Sequence, residues 1–169
     1  MWLTTDEFNF IPALKPMLYD NVVGTTAFPC RVVQLSKYGS MVAIVSLNNP
    51  STLAIWVNSY STLTPAGAGA GTTYPLISAG NYRISTSTAS LSDTLGARVA
   101  LATTAIAVTA DTTSDMVNYY IELKSDDLKD GYPYVAIAIS TSATASTGMC
   151  VNYIMKPRYP QVTQVTAIS

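Results

Sequence analysis

The sequence contains no histidine, and this absence removes a large class of chemistry. Histidine is the usual general base near neutral pH, the base of Ser-His-Asp and Cys-His arrangements, and the commonest transition-metal ligand. Two cysteines alone cannot form a four-ligand zinc site, and no glycine-rich phosphate-binding motif occurs. We therefore expect a protein that is not an enzyme and that holds no cofactor and no metal.

Charge is also scarce, since charged residues make up 11% of the 169 residues and the net charge is −1. Without clustered lysines and arginines, we expect no direct contact with nucleic acid. No apolar run approaches the ~20 residues of a spanning helix, and residues 1–21 lack the basic start and apolar run of a signal peptide. We expect a soluble protein with no membrane partner, whose 17 serines and 22 threonines supply surface polarity.

Few residues remain for disulfide or cation chemistry. Cys30 and Cys150 are too few for a disulfide framework, and they form either one bridge or two buried free thiols. The acidic residues cluster only at 111–115 and 126–130, and neither cluster has the spacing of a calcium-binding loop. We interpret both clusters as carboxylates of solvated turns.

The first thirty residues predict an extended N-terminal arm. Pro12 and Pro16 forbid a continuous helix, yet the segment is rich in large apolar side chains. Leaving such side chains in water loses roughly 1.5–3 kcal/mol each, so the arm must lie on its own domain or on a neighbouring subunit. The interface candidates in this arm are Phe8, Phe10, Ile11, Leu14 and Tyr19.

Residues 31–160 carry the pattern of an all-β domain, followed by a polar tail at 161–169. Short runs rich in β-branched residues alternate apolar and small or polar positions, and turn residues separate them. The pattern predicts a two-sheet antiparallel β-sandwich, either jelly-roll or immunoglobulin-like. The expected strands are Arg31–Leu35, Met41–Leu47, Thr52–Asn58, Asn81–Ser87, Arg98–Thr109, Asn118–Lys124, Tyr134–Thr141 and Met149–Lys156.

The 11 tyrosines are the most informative feature for binding. Tyrosine combines a large apolar body with a hydrogen-bonding tip and is enriched at protein interfaces. Tyr132 and Tyr159 lie near the end of the domain, where the two prolines of Lys156–Pro160 favour an edge or a departing arm. Arg158 lies between these prolines and could clamp a carboxylate. We add Tyr132, Arg158 and Tyr159 to the interface candidates.

Two segments resemble a known class of proteins. The strand Thr52–Val57 is followed by a Gly-Ala loop, and Tyr134–Ile137 is followed by the ending Cys150–Pro160. This organisation resembles the small auxiliary head proteins of tailed bacteriophages. The resemblance implies a β-sandwich that decorates or cements a capsid, often as a trimer, with the major capsid protein as its partner. It also implies a location in the virion, after assembly in the host cytoplasm.

The leading hypothesis is therefore a virion structural protein, a capsid decoration or cement subunit that binds the major capsid protein and itself. The alternative is a carbohydrate- or receptor-binding module of the tail-fibre or lectin-like kind, with Asn58, Tyr60 and Tyr74 as sugar contacts. A shell-forming capsid protein that packages the genome directly ranks third, because the chain lacks a basic arm.

Overall fold

The computed structural model of the chain describes residues 8–19, 28–48, 52–63, 77, 79–87, 94–102, 105–109, 116–140 and 147–158; for 14–19, 28–29, 87, 94 and 147 it describes only the backbone. Within these ranges the structure consists of strands, turns and two short 3-10 turns, Leu35–Lys37 and Ser125–Asp127. The strands are β1 (Asn9–Tyr19), β2 (Phe28–Pro29), β3 (Val33–Gln34), β4 (Tyr38–Asn48), β5 (Leu53–Tyr60), β6 (Asn81–Ser87), β7 (Thr94–Leu95), β8 (Val99–Ala100), β9 (Ile106–Val108), β10 (Met116–Lys124), β11 (Tyr134–Ile139) and β12 (Thr147–Pro157).

All strand pairs in the described part of the chain are antiparallel, and they form two sheets that pack against each other. The larger, seven-stranded sheet has the order β1-β12-β4-β10-β6-β7, with β8 also paired to β6. The smaller, five-stranded sheet has the order β2-β11-β5-β9, with β3 also paired to β11. This architecture confirms the predicted two-sheet antiparallel β-sandwich.

The order of pairing identifies the sandwich as a jelly roll. The outermost pair in sequence, β1 with β12, lies in the larger sheet, and β2 and β3 with β11 lie in the smaller one. The next pairs are β4 with β10 in the larger sheet, β5 with β9 in the smaller, and β6 with β7 and β8 in the larger. Nested pairs that alternate between sheets are the winding of a jelly roll, and an immunoglobulin-like sandwich does not have them.

Alternation of side chains places the core between the sheets. Along β10, the buried residues Val117, Tyr119, Ile121 and Leu123 alternate with positions that are half-buried or exposed. The same period of two in β4 buries every second residue from Met41 to Leu47. Successive side chains of a strand point to opposite faces, so the pattern read from the sequence decides which face is apolar.

The smaller sheet departs from the simple expectation of one buried and one wet face. Val135, Ile137 and Ile139 point into the core, as their spacing predicts. Ala136 and Ala138 on the opposite face are also fully buried. The outer face of the smaller sheet is therefore shielded from water along this part of β11.

Two predicted strands are wrong in their extent. The predicted strand Arg31–Leu35 is a strand only at Val33–Gln34, and Leu35 begins a 3-10 turn. Residues 98–109 do not form a single strand, because β8 pairs with β6 in the larger sheet while β9 pairs with β5 in the smaller. The chain crosses between the sheets within this segment, and a run of alternating apolar residues carries no signal for such a crossing. The pattern also missed the two-residue strands β2 and β7, which are too short to show periodicity.

Part of the N-terminal arm lies on its own domain, which is one of the two placements that the sequence left open. β1 is the outer strand of the larger sheet and pairs with β12 along its length, with irregularities near Pro12 and Leu14. The backbone N–H of Arg31 donates to the carbonyl of Ala13 at 3.0 Å, which ties β1 to the chain beside the smaller sheet. Residues 1–7 and 20–27 of the arm lie outside the described residues.

Two hydrogen bonds of Ile137 in β11 also join the chain on this side of the sandwich, and one of them crosses the core. The carbonyl of Ile137 accepts from the Cys30 N–H at 2.9 Å, but the chain leaves strand geometry from Cys30 to Val32. The Ile137 N–H instead donates to the hydroxyl of Tyr153, a fully buried residue of β12 in the opposite sheet, at 3.0 Å. A side chain thus replaces the strand partner that the interrupted edge lacks.

Within the described part of the chain, no helix is long and apolar enough to cross a membrane. Cys30 and Cys150 are both free; Cys30 is buried, and Cys150 is half-buried on the outer face of the larger sheet.

Candidate interface

The predicted contacts of the N-terminal arm separate onto two faces of β1. Phe10 is 54% exposed on the outer face of the larger sheet, whereas Ile11 is 4% exposed and belongs to the core. Ile11 therefore packs inside its own chain and is not available to a partner, because neighbouring strand residues point in opposite directions. Phe8 is half-buried just before β1. Leu14 and Tyr19 lie in β1, and their side chains are outside the described residues.

Phe10 belongs to a larger apolar area on the same face, which we call the sheet patch. The register aligns Phe10 with Ile154 and Ile154 with Val42. The next row aligns Pro12 with Asn152 and Asn152 with Ile44. The sheet patch consists of Phe10, Pro12, Val42, Ile44 and Ile154, all half-buried or exposed on the face that points away from the smaller sheet.

A second apolar area, which we call the edge patch, lies at the opposite side of the larger sheet. It consists of Leu95 and Met116, which are 54% and 43% exposed on the outer face. Val99 is also 43% exposed, but it pairs with Tyr82, whose ring packs against the core, so Val99 points away from the outer face. Leu95 belongs to β7 and Val99 to β8, the two short strands along β6, and Met116 begins β10. Together with Phe10, these three are the large apolar side chains with the greatest exposure in the described part of the chain.

A shallow groove of about 400 Å3 lies beside Val42, where polar and charged side chains cover β10 and β6. Within it, the Arg98 guanidinium forms an ion pair with the Glu122 carboxylate. Both side chains are more than one-third exposed, so the pair contributes little to stability. A third charged side chain on this face, Arg83, lines a second shallow groove together with Leu95 and Tyr120.

The exit of β12 forms a polar cluster at one end of the sandwich. The guanidinium of Arg158 donates to the Asp126 carboxylate at 3.0 Å and to the Ser125 hydroxyl at 2.6 Å. The sequence predicted that Arg158 could clamp a carboxylate, and the carboxylate it binds belongs to its own chain. The other Asp of this 3-10 turn, Asp127, accepts from the Lys124 N–H at 3.2 Å and so caps the turn.

Tyr132 lies in the same connection between β10 and β11. Its ring is half-buried, and the Lys129 ammonium lies 5.4 Å from the ring centroid. Its N–H donates to the Lys129 carbonyl at 3.0 Å, across a turn in which Gly131 adopts φ +81°. Arg158 and Tyr132 thus both lie at this end of the domain, whereas Tyr159 lies outside the described residues.

The residues proposed for sugar binding do not form a surface site. Asn58 is completely buried and Tyr60 is 1% exposed, and the Asn58 amide donates to the Tyr60 hydroxyl at 3.4 Å. Tyr74 lies outside the described residues. Asn58 and Tyr60 lie on the shielded outer face of the smaller sheet, opposite Ala136 and Tyr134. Side chains this deeply buried cannot contact a polysaccharide, so this part of the carbohydrate-binding alternative is wrong.

The titratable groups with altered pKa values are also internal. Burial raises the pKa of the Cys30 thiol to about 12. Burial, with smaller contributions from Cys30 and Tyr60, holds the pKa of Tyr153 well above its usual value. Cys30 is therefore an unreactive thiol at neutral pH. Among the residues that the structure describes, no three acidic, cysteine or histidine side chains converge as a metal site.

Most of the sheet patch was missed by sequence reasoning, which singled out only Phe10. Val42, Ile44 and Ile154 were assigned to predicted strands, but their strands also carry apolar residues on the buried face. A strand that is apolar on both faces was the available signal, because an antiparallel sheet exposed to water normally has one polar face. The edge patch had no comparable signal, since Leu95 lies in a two-residue strand.

Comparison with known proteins gives no match for this chain. No family model matches it, and neither a curated protein nor a solved structure matches it.

Proposed function

We propose that the chain is a virion structural protein, a capsid decoration or cement subunit that stabilises a phage head. It binds the major capsid protein and other copies of itself, and it performs no catalysis. The observation that carries the proposal is the combination of a charge-poor sandwich with two exposed apolar areas on one sheet. Such areas on a soluble protein mark interaction sites.

The composition supports the same function. Interface cores are depleted of charged residues and enriched in aromatic residues and methionine. The sheet patch has no charged member, and the half-buried Tyr120 lies beside Ile44 in the pairing register. A subunit that stays in contact with neighbouring subunits needs few charges on the surfaces that those neighbours cover.

A shell-forming capsid subunit is the second candidate, and the jelly-roll winding favours it. This fold is used by viral capsid domains as well as by lectins, so the fold is an analogy and does not decide the function. The two candidates differ in what the purified chain does alone. A shell-forming subunit assembles into closed particles visible by electron microscopy, whereas a decoration subunit stays a small oligomer until it meets a shell.

The direct test is co-sedimentation of the purified chain with phage heads from its source. Heads stripped of accessory proteins should bind the chain to saturation at a fixed ratio to the major capsid protein. Heads that already carry their full complement are the control and should bind none. A chain that fails to sediment with stripped heads at concentrations well above those needed for other capsid accessories contradicts the proposal.

A further inference from the structure

The charged side chains on the outer face of the larger sheet do not cancel. Two shallow grooves on this face, of about 400 and 420 Å3, share Val42 and Glu122. Their charged lining residues are three cations and two anions, namely Arg83, Arg98 and Lys124 against Glu122 and Asp127. Lys156 adds an exposed cation, because the register aligns it with Ser40 of the first groove. The face is therefore positive, although the whole chain has a net charge of −1.

Arg83 is the cation on this face that has no counter-charge. Its side chain is half-buried, whereas the other arginine and lysine side chains that the structure describes are exposed. The ion pairs in the described part of the chain are Arg98 with Glu122 and Arg158 with Asp126. A partly desolvated guanidinium without a carboxylate loses hydration and gains no pairing energy in return. Arg83 is therefore placed to bind a carboxylate from outside the chain, and a guanidinium binds carboxylates in a bidentate geometry.

The groove around Arg83 has mainly uncharged walls. Its other lining residues are Val42, Ser85, Leu95, Tyr120 and Glu122. Tyr120 is half-buried and lies directly opposite Arg83 in the pairing register, so the two side chains are neighbours on this face. Glu122, the acidic member, is already paired with Arg98. A guanidinium beside an aromatic ring and aliphatic side chains suits a carboxylate that is flanked by apolar groups.

The size of the face favours a protein as the occupant. The sheet patch and the groove share Val42, so together they form one surface from β1 to β7. Five strand spacings across the sheet span about 24 Å, and β10 from Met116 to Glu122 spans about 20 Å, a flat projection of about 480 Å2. Side-chain relief raises the accessible area towards the roughly 800 Å2 that one partner contributes to a stable interface. A small free anion would leave most of this surface uncovered.

We infer that the outer face of the larger sheet docks on the shell, and that its occupant is an acidic segment of the major capsid protein. An aspartate or glutamate of that segment pairs with Arg83, and the apolar residues beside it cover the sheet patch. This assignment rests on the proposed function and adds to it the face and the ionic contact through which the subunit binds.

The test measures how four variants of the full chain bind heads stripped of accessory proteins. Arg83→Gln removes the cation, and Arg31→Gln is its control at an exposed position between β2 and β3, outside the larger sheet. Ile44→Thr removes an apolar contact from the sheet patch, and Val32→Thr is its control at the half-buried position next to Arg31. Circular dichroism and thermal unfolding establish that each variant retains the native fold.

Arg83→Gln should weaken head binding by at least about tenfold, because it leaves a carboxylate of the partner unpaired in the interface. Ile44→Thr should weaken binding by several-fold, and both controls should stay within about twofold of the wild type. Raising the salt concentration from about 0.05 M to about 0.5 M should weaken wild-type binding more than that of Arg83→Gln, because the variant has lost the charge pair that salt screens.

Arg83→Lys identifies the partner carboxylate directly. This substitution keeps the cation and introduces a primary amine, which a carbodiimide couples to an adjacent carboxylate as an amide with loss of water. Mass spectrometry of the treated heads should find position 83 joined to an aspartate or glutamate of the major capsid protein. Arg31→Lys is the control and should give no such link.

Each contrary outcome has a distinct meaning. Equal head binding by Arg83→Gln and the wild type overturns the inference and leaves the proposed function standing, as does a link from position 83 to Glu122 alone. A link from position 83 to a second copy of this chain assigns the face to self-association and also overturns the inference. A wild-type chain that does not bind stripped heads refutes the proposed function, and the docking face with it.

Discussion

At the scale of single residues, the side of the sandwich where β1 meets β2 and β3 depends on a few polar groups inside an apolar core. The interruption at Cys30–Val32 leaves the Ile137 N–H without a strand partner, and the Tyr153 hydroxyl accepts it at 3.0 Å. Buried backbone donors are almost always paired, since an unpaired one costs as much as a lost hydrogen bond. Tyr153 is therefore a structural residue, and its hydroxyl group stabilises the fold by accepting this hydrogen bond.

Tyr153→Phe should lower the free energy of unfolding by about 1–3 kcal/mol, because the phenyl ring keeps the packing but leaves the Ile137 N–H unsatisfied. Tyr120→Phe is the matched control on the outer face of the same sheet, and it should change stability by less than about 0.5 kcal/mol. Urea denaturation measures both. Equal losses for the two variants would show that the hydrogen bond to Ile137 has no particular value.

The buried Cys30 and Tyr153 also predict that stability falls at alkaline pH. Both groups are neutral when protonated, and burial raises the pKa of Cys30 from 9.0 to about 12. Their contribution is complete below the pKa of the unfolded chain and is lost as pH rises towards the folded value, because the unfolded chain releases its protons first.

The free energy of unfolding should therefore decline from pH 9 upward, by up to about 1.4 kcal/mol per pH unit for each group that ionises only on unfolding. Urea titrations at pH 8, 9, 10 and 11 measure the slope. Cys30→Ala lowers stability at every pH, but its slope between pH 9 and 10 should be shallower than that of the wild type. Identical slopes would mean that Cys30 ionises as easily in the folded protein as in the unfolded chain.

At the scale of elements, three of the four sheet edges consist of short strands, whereas the fourth is the long strand β1. β2 and β3 flank a break on one side of β11, and β7 and β8 flank another on one side of β6. Long unbroken edges invite uncontrolled strand addition from other chains, and short edge strands limit it. At these short edges, side chains such as Leu95 remain as the available means of association.

The turn before β6 provides an element-scale prediction at Gly80. This residue adopts φ +117°, and an added Cβ would lie 2.7 Å from the Glu122 carbonyl oxygen of the neighbouring β10. Gly80→Ala should therefore destabilise the protein by more than about 2 kcal/mol, through backbone strain and displacement of β6 from β10. Gly131→Ala is the control, because φ +81° is also strained but nothing lies within 4 Å of the added Cβ.

Gly131→Ala should cost only the conformational strain, about 1 kcal/mol. Thermal or urea unfolding of the two variants compares them directly. A loss at Gly131 as large as that at Gly80 would contradict the close packing of the Gly80 turn against β10.

Element by element, the sequence predicts most of this fold. Long strands such as β6, β10 and β12 were found because alternation over seven or more residues is a strong local signal. The crossing between β8 and β9 and the placement of β1 beside β12 were not predictable, since both depend on contacts distant in sequence. The sheet patch was not predictable for the same reason, because its row Phe10, Ile154 and Val42 comes from three segments that are distant in sequence.

At the scale of the whole molecule, the jelly roll is a rigid body whose ends and faces carry different groups of side chains. One end gathers the Arg158, Ser125 and Asp126 cluster, which fixes the exit of β12. The outer face of the larger sheet carries both apolar patches beside the charged side chains of Arg83, Arg98 and Glu122. Separate surfaces of this kind fit the proposed function, in which the subunit contacts its own copies and a larger shell.

The measurement that tests the central claim most directly is the composition of purified particles from the protein's source. Quantitative mass spectrometry of gradient-purified heads should find this chain at a fixed ratio to the major capsid protein, unchanged by a further round of purification. Recovery of the chain only in the free soluble fraction, with none in the particles, would contradict the proposed structural role in the virion.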